Sequence, residues 1–107
     1  MDLSQIPIQE FAQTMIVTCP HGIHLRVAAD IAKLMSGYES KVKIHFQKLE
    51  VDAKSVLNLM ELGAAKGETV RVVAKGNDAE AAVDAISQYF KSNQKCDETA
   101  RNANSLP

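Results

Sequence analysis

The chain predicts an α+β fold, a two-layer open-faced sandwich in which a four-stranded antiparallel sheet is covered on one side by three helices in the order βαββαβα. Two observations carry this. Four segments alternate apolar and polar residues with the period of a half-buried strand, and between them lie stretches whose apolar residues suit one-sided helices. The scale agrees, since 107 residues with 46% apolar content suit one domain with a single modest core.

In residues 13–19, Met15, Val17 and Cys19 fall on one face of a strand. A helix follows, with Ala28, Ile31, Ala32 and Met35 at the i, i+3, i+4, i+7 spacing and a stop at Ser36-Gly37. Lys41–Phe46 alternates cleanly, with Val42, Ile44 and Phe46 inward. A turn at Gln47-Lys48 leads into Leu49–Asp52 as an antiparallel return, although the glycine or asparagine usual in such hairpins is missing. Ser55 stands where a helix N-cap belongs, before a short apolar helix over Val56–Leu62 that Gly63 ends. Residues 69–74 form a further strand, broken by Gly76-Asn77. Asn77 and Glu80 are spaced as a capping box for the last helix, whose stripe is Ala79, Ala82, Val83, Ile86 and Phe90. Residues 11–91 therefore hold the domain. Residues 1–10 lack periodicity and residues 92–107 turn polar and small, so both ends are expected to be loose.

Twelve basic residues against thirteen acidic ones give a net charge of −1, which points away from nucleic acid and from an anionic membrane as partner. Cys19 and Cys96 do not make a secreted disulfide framework. No signal peptide is visible at the start, and no run approaches the roughly 20 apolar residues of a membrane span. A soluble, cytoplasmic protein without membrane insertion is expected.

The most informative stretch is Gly22-Ile23-His24-Leu25-Arg26, which sets an imidazole and a guanidinium where the first helix begins. The first turn of a helix has backbone N–H groups without intrahelical partners and carries about half a positive charge, so a phosphate on or near that imidazole would meet ready-made donors. Taken alone, His24 also suits a surface or capping histidine. A second motif decides between them: Ala53-Lys54-Ser55-Val56-Leu57, followed by Leu59-Met60-Glu61-Leu62-Gly63-Ala64-Ala65-Lys66-Gly67. Together with residues 22–29, Gly-Ile-His-Leu-Arg-Val-Ala-Ala, it resembles the histidine-containing phosphocarrier family, HPr, of the bacterial phosphotransferase system, over residues 15–90.

That resemblance implies specific roles. His24 would take a phosphoryl group on its pros ring nitrogen from phospho-enzyme I and yield it to enzyme IIA proteins, as a relay and not as a self-sufficient catalyst. Arg26 would contact the phosphoryl group and an acidic partner surface. Val27, Val56 and Leu57 would form an apolar docking surface, while core packing is expected for Leu59 and Met60. Ser55, which capping alone explains, is matched in some members by a serine phosphorylated by an HPr-type serine kinase. A monomer without cofactor or metal is implied. Cys19, His21 and His24 do not make the paired, four-ligand pattern of a structural zinc site. Val27 departs from the family's usual proline, restoring an N–H in the first helical turn. The departure keeps an alternative open, a regulatory module, for instance of a nitrogen-type branch, whose phosphorylation state controls partner binding. A small-molecule sensor domain of similar layout would instead not need His24.

Overall fold

The computed structural model describes residues 9–92; of the two ends expected to be loose, residues 1–8 and 93–107 lie outside the described residues, whereas Glu10 is already paired in the first strand and Ser92 caps the last helix. Among the described residues the order is β1 (Glu10–Ile16), α1 (Leu25–Met35), β2 (Lys41–Phe46), β3 (Leu49–Asp52), α2 (Val56–Leu62), β4 (Thr69–Lys75) and α3 (Ala79–Lys91). The sheet runs β1-β4-β2-β3, with every neighbouring pair antiparallel. The α+β sandwich is therefore the architecture adopted.

Alternation sets the two sides of the sheet. Val42, Ile44 and Phe46 on β2, Val70, Val72 and Ala74 on β4, Val51 on β3 and Met15 on β1 are buried with the stripes of α1 and α3. Ala28, Ile31, Ala32 and Met35 of α1 and Ala79, Ala82, Val83, Ile86 and Phe90 of α3 all lie in this one core. The residues between them on the strands face away from the helices.

Two local readings are corrected, and the expected turn at Gln47-Lys48 is explained. The first strand spans Glu10–Ile16, earlier than residues 13–19, because its partner β4 begins at Thr69, opposite Ile16. Val17 is still buried and clamped, its N–H donating to the Glu68 carbonyl and its own carbonyl accepting from Gly67 N–H. The β2–β3 turn closes without glycine because Gln47 takes the left-handed conformation itself, at φ 56°. The Asn77 capping box does not form. The N-cap of α3 is Asp78, whose carboxylate leaves its own helix and accepts from Glu39 N–H, Ser40 N–H and the Ser40 hydroxyl, joining the α1–β2 connection to the start of α3.

The Ser40 hydroxyl, and next the Glu39 N–H, hold the Asp78 carboxyl below the usual carboxylate range. A native value below the unfolded one means that the unfolded chain binds more protons in acid. The stabilisation is present at neutral pH and is lost as pH falls through the carboxylate range to the lowered native value. Asp78→Asn is expected to lower the thermal midpoint at neutral pH and to flatten its fall in acid, which melting curves across that range will read.

Candidate functional site

The site is assembled where the chain leaves β1 and enters α1. Gly22 N–H donates to the Cys19 carbonyl at 2.9 Å, closing a turn, and Ile23 N–H donates to the Ala64 carbonyl at 3.0 Å, in the α2–β4 connection. Ile23 is buried, anchoring the loop. Gly22 makes that contact sterically feasible. It sits at φ +71°, and a Cβ there would lie 2.5 Å from the Ala64 oxygen and 3.0 Å from Ala65 Cα.

His24 is the N-cap of α1, with φ −107° and ψ −172°. Its Nδ1 accepts from Arg26 N–H at 3.3 Å, and its carbonyl accepts from Ala28 N–H at 2.8 Å, which begins the helical ladder. A neutral imidazole that accepts at Nδ1 carries its proton on Nε2. The ring's one in-plane lone pair is thus on the nitrogen turned to the helix N-terminus, and it must leave the Arg26 N–H to bond to another atom. No acidic residue lies in the first turn of α1, so no carboxylate of that turn competes for its N–H groups. His24 is half-buried, while the Arg26 side chain, two residues on, is exposed. A group bonded to Nδ1 would stand over backbone donors and within the same turn as a guanidinium.

The neighbours divide sharply. His21 is exposed, its ring centroid 6.1 Å from that of His24. Cys19 is buried in the core. Among the described residues no group of three His, Cys, Asp or Glu is placed to hold a metal ion. Ser55 caps α2 by accepting from Asn58 N–H at 3.2 Å.

On α2, Leu59 and Leu62 are buried and Val56 is half-buried against the core, whereas Leu57 is 74% exposed. Met60 is 42% exposed, not core as its spacing suggested, because a seven-residue helix commits only the Leu59–Leu62 side to burial. Val27 is corrected too. It is fully buried in the core and has no surface to offer a partner. Leu25, 60% exposed beside His24, takes its place as an apolar surface residue that sequence reasoning missed. Its available signal was its position, one residue after the histidine and ahead of the buried stripe.

The chain matches the model of the PTS-HPr family, described as the PTS HPr component phosphorylation site, over residues 11–92. It belongs to the HPr family. The phosphocarrier protein HPr of Xylella fastidiosa (strain 9a5c) is 35% identical over 77 residues, which are 72% of this chain and 86% of that protein. The crystal structure of HPr-C-His from Thermoanaerobacter tengcongensis superposes with a TM-score of 0.75 at 29% identity, over 78% of this chain and 93% of that one. The PEP-dependent dihydroxyacetone kinase, phosphoryl donor subunit DhaM, of Providencia stuartii is 31% identical over 85 residues, 79% of this chain but only 18% of that larger protein.

Within this HPr fold the substitution at Val27 acquires a physical meaning. Val27 is the third residue of α1, where the helix has no carbonyl four residues back to accept its N–H. Valine therefore adds one donor to the helix start while its side chain fills the core. Val27→Pro is expected to keep the fold, since proline is tolerated in a first turn, and to shorten the lifetime of any anion-bearing state of His24. Hydrolysis of the phosphorylated protein, followed by mass, will show whether it does.

Proposed function

We propose that this chain is the phosphocarrier of a phosphotransferase system, taking a phosphoryl group on His24 Nδ1 from phospho-enzyme I and passing it to an enzyme IIA-type acceptor. The observation that supports this most is the orientation of the imidazole, with Nδ1 directed at the start of α1. In the forward step the Nδ1 lone pair attacks phosphorus, and the bond from phosphorus to the donor breaks with its electron pair left on the donor. The acceptor reverses this, and the Nε2 proton takes no part in either transfer. The N–H groups of the first turn would meet the phosphoryl oxygens, and the Arg26 guanidinium is a cation of the same turn that would join them. Their hold is modest, about 0.3–2 kcal/mol for the helix end, which suits a carrier that must release what it binds.

Leu25, Leu57 and Met60 are exposed apolar residues on two helices that pack together, and they suit docking by the relay enzymes. Ser55 keeps its role as a candidate site for an HPr-type serine kinase, with a phosphate there meeting the N-terminus of α2. The carrier would work as a monomer in the cytoplasm; among the described residues no helix is long and apolar enough to cross a membrane. A second reading draws on the DhaM likeness and on Val27: a regulatory or donor module whose acceptor is not a sugar transporter. Both readings place the phosphoryl group on His24.

Incubation with phosphoenolpyruvate and enzyme I, followed by intact mass before and after acid, tests the proposal. One acid-labile phosphoryl group supports it, and its onward loss to an enzyme IIA separates the transport reading from the regulatory one. A protein that stays unmodified with its own host's enzyme I overturns the relay.

A further inference from the structure

We infer that the open face of the sheet is a second interaction surface, which takes an acidic, extended polypeptide segment across β4 and β2. The helices cover one side of the sheet only, and the residues alternating with the core present Lys41, Lys43 and His45 on β2 and Arg71 and Lys75 on β4 to the other side. The register sets Lys41 opposite Lys75 and His45 opposite Arg71, so two ammonium groups meet across the central strands at one end of the face and an imidazole meets a guanidinium at the other. Like charges placed directly opposite weaken a sheet. An anion lying between them relieves that repulsion.

The protein's own carboxylates relieve it only at the flanks. Glu10 on β1 reaches Lys75 at 3.9 Å, and Glu50 on β3 is shared between Lys43 at 3.6 Å and His45 at 3.1 Å. Lys41 and Arg71 have no ion pair among the described residues. These side chains line a shallow depression of about 430 Å³ around half-buried Val73. Overall charge of −1 conceals this segregation, because the strand period sends the lysines of β2 and β4 to one side.

The spacing selects the ligand. Same-side positions along a strand repeat every ~6.6 Å and neighbouring strands lie ~4.8 Å apart, so the cations form a grid with the repeat of alternate side chains in an extended peptide. A single-stranded nucleic acid has phosphates to offer as well, but its binding relies on aromatic platforms for the bases. The outward positions of the strands carry no Phe, Tyr or Trp. The face lies on the side of the sheet away from α1, so a segment bound there leaves His24 accessible to its relay partners.

Amide spectra of the full chain, titrated with a short polyglutamate peptide, test this independently of phosphoryl transfer. Shift changes should centre on Lys41, Lys43, Arg71, Val73 and Lys75, leave residues 22–27 unmoved and vanish at high salt. In the Lys41→Gln/Arg71→Gln protein the affinity should fall about tenfold, with a thermal midpoint no lower than native since a like-charge contact is gone. Shifts centred on residues 22–27, an affinity indifferent to the double substitution, or tighter binding of an oligothymidylate of matching length on the same face would each overturn it.

Discussion

Gly22→Ala is expected to lower both the stability of this protein and the rate at which it accepts a phosphoryl group. The φ of +71° alone disfavours an alanine by about 1–2 kcal/mol. The new Cβ would also stand 2.5 Å from the Ala64 carbonyl oxygen, a backbone atom that cannot swing aside as a flexible side chain can. The loop must therefore lift from the α2–β4 connection, stretching the 3.0 Å bond from Ile23 N–H to that same carbonyl and shifting the residue that fixes His24. A displacement of about 1 Å at a reacting nitrogen can cost on the order of a hundredfold in rate. Melting curves and phosphorylation kinetics on one preparation will separate the two losses. Gly67→Ala is the matched control, because its positive φ of +89° brings no clash: a Cβ there meets nothing within 4 Å. It should lose stability and keep its transfer rate.

His24→Ala is expected to abolish phosphoryl acceptance while leaving the fold in place. The imidazole contributes one long cap hydrogen bond, at 3.3 Å to Arg26 N–H, and its removal should cost about 0.5–1 kcal/mol. The core does not depend on it, since Val27, Ala28, Ile31, Ala32 and Met35 hold α1 from the other side. Loss of acceptance with a near-native melting curve marks a nucleophile. Acceptance that survives the substitution would move the chemistry to another side chain, His21 being the nearest imidazole.

What the sequence disclosed and what it concealed follow from the range of each interaction. Strands β2 and β3 and helices α1 to α3 were legible because burial alternates along them, and because local signals such as Ser55 and Gly63 bracket α2. The end of β1 was not, since it is set by Thr69 on a partner strand more than fifty residues away. The start of α3 was misread for the same reason: Asp78 spends its carboxylate on Glu39 and Ser40, a contact that no local pattern announces. At the site, His24 and Arg26 were found by their motif and their place before a helical stripe. Val27 was misplaced because a first-turn position next to a surface histidine gives no sign that its side chain turns inward to full burial. Leu57 lies at the surface as expected, whereas Met60 reads as core because a helix this short does not show its orientation by periodicity.

The nitrogen that carries phosphorus is the most direct point of test. The protein, labelled with ¹⁵N and phosphorylated by enzyme I and phosphoenolpyruvate, would be studied by long-range proton–nitrogen spectra of its imidazoles with phosphorus coupling. Phosphorus bonded to His24 Nδ1, with Nε2 free of it, is the result expected from a ring held toward the start of α1. Phosphorus on Nε2, on His21 or His45, or on no imidazole at all would contradict it.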